Sequence, residues 1–522
     1  MLLDDEEAGL AEWLDLLEEC QAAWQFADCQ QLIRFIKGMP LSPLAVGYVQ
    51  QATADLYRQQ GEWAAASTTY QRARRTFQEL DQPLDEAAVC NNFALALQEQ
   101  RNYPQATRHY QEALRLYKEE EATASIAHVL ANLGNIAYEQ GHWQQAADYY
   151  HQSATQLETA DLPSDLASIY NSLGVAYEEL GDLETAENHY LRCADLLDDL
   201  EVAYSVRGLR VMSNLGQLYG KQTQWDKAIH CFESALDIAQ TIDDPFQEGK
   251  VWNNLGTVYT QQGEAEAAVN SYQRSLELAQ QLGDHQRELI ALNNIGAAYA
   301  DLEAFALAKS CYQNGLALSQ ERNEPYGVAR ALNNLGALAA QQGDLDTAIA
   351  YYQQSADMAE SIGHLYRATL TLINIASLYE QQLQTVAAQP CFDRAWAMAE
   401  TEGYDDHLAS LCTLRGDTSF QQRATYPDAY RWFAQACRYA IRHNPHTLQQ
   451  ITQHIASHLD RLQKHQPFAA QAFAQFLLTA EVGEALSTQL PIFVKMLRET
   501  AVISSTTPSK MPTNDTAMSK DK

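Results

Sequence analysis

The chain has 522 residues, of which 46% are apolar and 20% charged, with only 14 prolines and 24 glycines. These proportions are typical of a folded globular protein and exclude a fibrous chain. The formal net charge is −32, so the field of the protein repels nucleic acids and anionic membranes. The sequence has no apolar run near the roughly 20 residues that span a bilayer and no basic start typical of a signal peptide. We therefore expect a cytoplasmic protein with no nucleic-acid partner and no membrane insertion.

Residues 1–45 are predicted to form an acidic helical cap or a degenerate first repeat. Residues 1–33 hold nine acidic side chains and no basic one, and apolar residues from Leu10 to Leu17 recur at helical spacing. Acidic residues near a helix N-terminus are favourable and keep a cap soluble. The alternative is that this acidic segment docks into a basic groove, either its own or that of a partner.

Residues 46–437 repeat with a period of 40. Each copy has a small residue, here called the small position, followed after twelve residues by alanine and after sixteen by an aromatic residue. A small residue lets two helices approach closely, and an aromatic ring fills the space beside it. The tenth copy needs a one-residue insertion to place Ala429 and Phe433. The small positions are Ala54, Ala94, Gly134, Gly174, Gly216, Gly256, Gly296, Gly336, Ala376 and Gly416.

A second glycine follows seven residues after the small position in half of the copies, and it predicts the positive φ that ends a helix. Each copy is therefore predicted to be two helices joined by a tight turn. Because one helix pair cannot bury its apolar surface alone, the copies must stack into an all-α solenoid. The turn glycines are Gly61, Gly141, Gly181, Gly263 and Gly343, and they are replaced by Arg101, Thr223, Glu303 and Leu383 in four copies.

These motifs resemble the tetratricopeptide repeat over about residues 48–437. The long period, together with Asn-Asn-Leu-Gly at 253–256 and Leu-Gly-Asp at 282–284, is similar to the subgroup that includes the LGN/Pins adaptors and the kinesin light chains. The resemblance implies a right-handed α-solenoid of about ten helix-turn-helix repeats with helical caps. It also implies a protein that binds other proteins.

An asparagine lies two residues before the small position in seven copies, and in one central copy Ser172 takes that place beside Asn171. Asparagine is a poor residue for a helix interior, so its recurrence needs a reason. The resemblance implies that this position faces a concave groove, where the carboxamide can bond to the backbone of an extended peptide. The alternative is that these side chains bridge successive helices. They are Asn92, Asn132, Asn214, Asn254, Asn294, Asn334 and Asn374.

Four residues before this asparagine, three central copies carry a basic residue, namely Arg210, Lys250 or Arg330. The resemblance to the LGN/Pins pattern implies that these residues pair with acidic residues of a ligand. Glutamates lie further along the first helices of earlier copies and predict a negative N-terminal groove. We therefore expect the partner to be a protein or peptide segment of mixed charge. The glutamates are Glu99, Glu139, Glu178 and Glu179.

Residues 438–502 are predicted to form a C-terminal helical cap, and residues 503–522 have too little apolar content to order. His454 and His458 share a helical face at a spacing compatible with a metal. However, Ile455 stands where the zinc-protease motif has glutamate. We therefore interpret this face as an ordinary solvated one and predict no metal and no cofactor.

The sequence contains neither a GxGxxG nor a GxSxG motif. Its paired carboxylates, such as Glu178 and Glu179, belong to the repeating pattern and indicate no catalytic pocket. We predict a scaffold or adaptor that is not an enzyme. The main alternative is a regulatory sensor, in which a short signalling peptide tightens the superhelix and changes the affinity for an output protein. A third and less favoured alternative is an enzyme with a C-terminal site.

Overall fold

The computed structural model describes residues 26–38, 41–421, 426–443, 445–479 and 482–501. In these ranges the chain forms helices α1 to α25 and no strand, as the sequence predicts. The acidic helix predicted between Leu10 and Leu17 and the tail predicted at 503–522 lie outside the described residues. Among the described helices, none is long and apolar enough to cross a membrane.

The helices follow one another with short turns along the whole described chain. Their bounds are α1 Phe26–Lys37, α2 Pro43–Gln59, α3 Trp63–Glu79, α4 Pro83–Glu99, α5 Tyr103–Glu119, α6 Thr123–Glu139, α7 Trp143–Thr159, α8 Pro163–Glu179, α9 Leu183–Asp199, α10 Val206–Lys221, α11 Trp225–Thr241, α12 Pro245–Gln262, α13 Ala265–Leu282, α14 His285–Asp301, α15 Phe305–Glu321, α16 Pro325–Gln341, α17 Leu345–Ser361, α18 Leu365–Gln381, α19 Thr385–Glu402, α20 Asp405–Gln421, α21 Tyr426–His443, α22 Pro445–His465, α23 Pro467–Thr479, α24 Val482–Gln489 and α25 Pro491–Ala501.

The ten predicted repeats are the ten helix pairs from α2 and α3 to α20 and α21, each with its small position in the first helix. The chain divides into two compact units between Leu282 and Gly283. The first unit contains six repeats and the second contains four. In the second unit, α21 continues to His443, beyond the boundary predicted at 437, and α22 to α25 follow it.

In the seven repeats whose small position is glycine, this residue packs directly against the aromatic ring of the second helix. A Cβ atom placed on Gly174 would lie 2.4 Å from the ring of Tyr190, which is too close for any side chain. Gly416 makes the same contact with Phe433, which confirms the insertion predicted in the tenth repeat. The aromatic ring therefore lies directly on the backbone of the neighbouring helix, and glycine is what permits this approach.

Each turn from the one after α2 to the one before α20 uses a residue with positive φ. The predicted turn glycines confirm this, for example Gly61 with a φ of 74° and Gly263 with a φ of 88°. Thr223 adopts the same conformation with a φ of 60°, although it is not a glycine. The turns between repeats, such as the one at Asp81 with a φ of 56°, also use it. The left-handed residue thus recurs about every 20 residues and stops each helix in the same way.

Thr223→Gly is expected to raise the free energy of unfolding of the first unit by about 0.5–1 kcal/mol. Left-handed backbone costs a β-branched residue about 1–2 kcal/mol, and the greater freedom of glycine in the unfolded chain returns part of this gain. The exposed Thr223 side chain has little packing to lose. The midpoint of urea unfolding measures the change. The reverse substitution Gly141→Thr, at a φ of 75°, should lower the midpoint. Equal midpoints for the wild type and both variants would show that the left-handed backbone costs threonine no free energy.

Candidate protein-binding face

The first helix of each repeat carries a stripe of side chains that its neighbours leave accessible. The stripe runs through the residues six and two before the small position and one and five after it, which share a helix face. In α12 these residues are Lys250, Asn254, Thr257 and Gln261; Asn254 is half-buried and the other three are exposed. We call this stripe the open face of a repeat.

The predicted asparagines are half-buried in every repeat that has one. Several of them bond to the preceding repeat. The Nδ2 atom of Asn132 donates to the Oδ1 atom of Asn91 at 3.1 Å. The acceptor Asn91 belongs to the preceding repeat, where it lies three residues before the small position. It is therefore the sequence neighbour of Asn92, the stripe asparagine of that repeat. The same bond joins Asn214 to Asn171 at 2.9 Å and Asn334 to Asn293 at 2.7 Å.

These amide bonds confirm that some of the asparagines bridge successive helices, which the sequence left as an alternative. A carboxamide has two N–H groups and an oxygen with two lone pairs, so one donated bond leaves most of its capacity unused. The sequence grouped Asn171 with the binding side chains, but Asn171 is buried and accepts one of these bridging bonds. Ser172 occupies the half-buried position beside it. Binding by the other asparagines stays a prediction.

Asn254 and Asn92 illustrate other surroundings of the stripe asparagines. In the first unit, Asn254 borders a recess of about 230 Å³ together with Gln217, Lys221 and Thr257. At the start of the array, the Nδ2 atom of Asn92 lies 3.4 Å from a carboxylate oxygen of Asp55. The open face therefore combines bridging amides with amides that line accessible space.

The predicted glutamates also lie on or beside the open face, but they pair across repeats. Glu99 accepts a hydrogen bond from Arg58 at 2.6 Å, and Glu178 accepts one from Lys221 at 2.7 Å. Such accessible ion pairs contribute at most about 1 kcal/mol each, yet they cancel part of the charge. The negative N-terminal groove predicted from the sequence is therefore partly neutralised. The remaining two glutamates accept hydrogen bonds from neutral side chains: Glu139 from Gln98 at 2.8 Å and Glu179 from Tyr138 at 3.5 Å.

The three predicted basic residues differ in their surroundings. Arg210 and Lys250 are exposed, whereas Arg330 is half-buried. Arg330 borders a cleft of about 490 Å³ at the start of α14 and α16, with Ile290 and Tyr326 on its walls. The Nε atom of Arg330 is buried and has no hydrogen-bond partner in the described chain.

A second guanidinium adds positive charge near this cleft. Arg367 lies over the ring of Tyr326, with its central carbon 5.1 Å from the ring centre. Burial lowers the pKa of Arg330, and the charge of Arg367 lowers it further. A guanidinium in this setting gains most from a carboxylate that can accept two parallel hydrogen bonds. Glu324 also lines the cleft, but the two guanidinium groups outnumber it, which suits an acidic side chain or a C-terminal carboxylate.

His454 and His458 do not form the ordinary solvated face expected from the sequence. His458 is only 9% exposed, and both Nε2 atoms lie within hydrogen-bond distance of Asp417. No sequence pattern pointed to Asp417, because it belongs to a different helix. The bridging acceptors such as Asn91 did leave a signal, the Asn-Asn pair that recurs before the small position.

Comparison with known families decides the class of the array. A tetratricopeptide repeat family model matches residues 48–119, 85–159, 165–241, 247–321, 288–361 and 327–401, and a second one matches residues 131–197. These matches cover well over half of the chain. The chain belongs to the tetratricopeptide repeat family. The similarity of this tetratricopeptide protein to the 40-residue subgroup stays a prediction.

Solved structures with similar folds include the apo form of RapI, with 11% identity and a TM-score of 0.51 over 68% of this chain and 98% of RapI. BtubC from P. vanneervenii is 24% identical, with a TM-score of 0.40 over 43% of this chain and 92% of BtubC. The quorum sensor NprR from B. thuringiensis is 14% identical, with a TM-score of 0.45 over 69% of this chain and 99% of NprR. No curated protein matches this tetratricopeptide protein.

Proposed function

We propose that this tetratricopeptide protein is a scaffold or adaptor that binds a segment of a partner protein along the open faces of its repeats. The observation that supports this proposal is the half-buried asparagine at one equivalent place in seven repeats. Packing alone does not require an amide there, because other repeats carry serine, alanine or leucine at that place. The proposed role is binding, without catalysis.

The amides and the basic residues would contribute differently to binding. Unused N–H and C=O groups of the asparagines can pair with the main chain of an extended segment, which does not select a sequence. Selectivity would come from Arg330, whose cleft offers a carboxylate partner beside the apolar wall formed by Ile290. The partner segment is then of mixed charge, with an acidic residue next to an apolar one.

Replacement of Asn294, Asn334 and Asn374 by alanine tests this proposal. We expect proteins that co-purify with the wild type from the native organism to be lost or strongly reduced with the triple variant. The matched control is Asn314→Ala, because Asn314 is exposed on α15, a second helix of a repeat. Undiminished recovery of the same proteins by a triple variant with an intact helical circular-dichroism spectrum would refute the binding role.

Small-angle scattering separates an adaptor from the regulatory sensor considered above. With a synthetic peptide of the recovered partner segment, an adaptor should keep its scattering profile. A sensor should become more compact, because its ligand binds one conformation more tightly than the other.

A further inference from the structure

Three ligand-type side chains converge near the C-terminal end of the second unit. Asp417 lies on α20, and His454 and His458 lie one turn apart on α22. The Oδ1 atom of Asp417 is 2.8 Å from the Nε2 atom of His454 and 2.7 Å from the Nε2 atom of His458. The two Nε2 atoms are 3.3 Å apart. Three potential metal ligands therefore point at one another.

Hydrogen bonds alone do not account for this triangle. If both Nε2 atoms carry protons, each can donate to Asp417, but the two N–H groups then face each other at 3.3 Å. If one Nε2 atom lacks its proton, its lone pair faces the carboxylate oxygen at less than 3 Å. With Asp417 ionised, each placement of the protons on the two Nε2 atoms thus leaves one unfavourable contact. A cation between the three atoms would make all three contacts favourable.

The ring of His458 has few other ways to bond. Its Nδ1 atom is buried and has no hydrogen-bond partner in the described chain, so Nε2 is the nitrogen through which it bonds to protein. The rings of Phe420 and Phe433 lie 4.4 Å and 5.4 Å from it, centre to centre. These apolar neighbours exclude water and strengthen electrostatic attraction at the Nε2 atom.

The dimensions of the triangle are near those of a metal site. Zinc binds imidazole nitrogen and carboxylate oxygen at about 2.0–2.2 Å, so tetrahedral ligand atoms lie about 3.3 Å apart. The two nitrogens already have this separation, at 3.3 Å. The contacts from Asp417 to His454 and His458 need to lengthen by only about 0.5 Å to reach it. Rotation of the partly exposed Asp417 side chain, which takes part in both contacts, can supply this change.

We propose that Asp417, His454 and His458 bind a divalent transition-metal ion, for which zinc fits the two imidazoles and one carboxylate best. Asp417 and His454 also line an open cavity of about 410 Å³ together with Ser410, Thr413 and Gln450. This cavity gives room for water as the fourth ligand. The proposal does not depend on the proposed scaffold function.

The charge state of Asp417 suits this role. Burial alone would raise its pKa, but the hydrogen bonds from His454 and His458 hold that pKa below its ordinary value. The carboxylate is therefore ionised at neutral pH, as a metal ligand must be.

The ion would connect α20 to α22, two helices separated in sequence by α21. It would thus fasten the first helix after the repeats to the last repeat. Because an ion that binds only the folded state stabilises it by mass action, metal should slow the opening of α22. The metal ion would thus stabilise the packing of α22 against α20.

Titration of untagged, chelator-treated full-length protein with zinc tests the site, with calorimetry as the readout. We expect one zinc ion per chain at a micromolar or lower dissociation constant. Loss of a residue that hydrogen-bonds to a metal ligand weakens metal binding by about 10- to 100-fold, so loss of the ligand itself in His454→Ala should weaken zinc binding by about 100-fold or more. His454 is partly exposed, so this variant should fold. His465→Ala, on the exposed end of α22, is the matched control and should bind like the wild type.

Asp417→Asn keeps the size of the side chain but removes its charge, and it should weaken zinc binding by about 10-fold or more. Hydrogen exchange gives an independent readout, in which zinc should slow exchange of the α22 amides in the wild type and not in His454→Ala. Cobalt in place of zinc should show the intense visible absorption of a tetrahedral ion. Absence of saturable binding, or equal zinc affinity of the wild type and His454→Ala, would overturn the proposal.

Discussion

Replacement of Phe232 by alanine is expected to lower the free energy of unfolding of the first unit by about 3–5 kcal/mol. The ring is fully buried and lies on the backbone of α10, where a Cβ atom on Gly216 would be 2.8 Å from it. Its removal leaves a cavity between two helices that both belong to the stacked core. Chemical denaturation followed by circular dichroism measures the loss.

Two glycines in α10 provide the matched controls for this prediction. Gly216→Ala should cost about 1–3 kcal/mol because the ring of Phe232 must move. Gly220→Ala should be neutral or stabilising, since the added Cβ atom would meet only Val258 at 3.6 Å and alanine favours a helix by about 1 kcal/mol over glycine.

The double variant with Phe232→Ala and Gly216→Ala tests the contact itself. The cavity left by the ring has room for the new methyl group, so the combined loss should be smaller than the sum of the two single losses. Strict additivity, or a loss below about 1 kcal/mol for Phe232→Ala, would contradict the close approach of ring and backbone.

This contact explains why so much of the fold is predictable from the sequence. The pairing of Gly216 with Phe232 joins residues of one repeat at a fixed separation of sixteen, so it is repeated along the chain. The positive φ of the turn glycines is equally local. Thr223 shows the limit of prediction from residue type. It adopts the left-handed conformation, although threonine does not favour that conformation.

The candidate sites were less predictable because they depend on contacts between repeats. The bond from Asn334 to Asn293 joins two first helices, and its length depends on how one repeat is rotated against the next. Similarly, Asp417 and His458 are in contact although α21 separates their helices in the sequence. The spacing of His454 and His458 suggested a shared face, but only packing determines whether a carboxylate meets it.

Arg330→Gln is expected to weaken binding of an acidic partner segment by about 30-fold, and Arg330→Glu by more than about 100-fold. Loss of a buried charge-assisted pair costs about 2–5 kcal/mol, and reversal of the charge adds repulsion. The Arg330 side chain lines the cleft and is half-buried, so a carboxylate in the cleft would meet a partly desolvated guanidinium. Fluorescence anisotropy with a labelled peptide of the recovered partner segment measures the dissociation constants.

Arg322→Glu is the control for this last experiment, because it changes the net charge equally at an exposed residue after α15 that does not line the cleft. If attraction by the overall field drives binding, both charge reversals should weaken it alike, and added salt should remove the difference from the wild type. If the cleft holds the carboxylate, Arg322→Glu should bind nearly as well as the wild type. Much of the loss in Arg330→Glu should then persist in salt, because a desolvated pair is screened far less than an exposed one. Equal effects of the two reversals would place the recognition of acidic residues elsewhere on the open face.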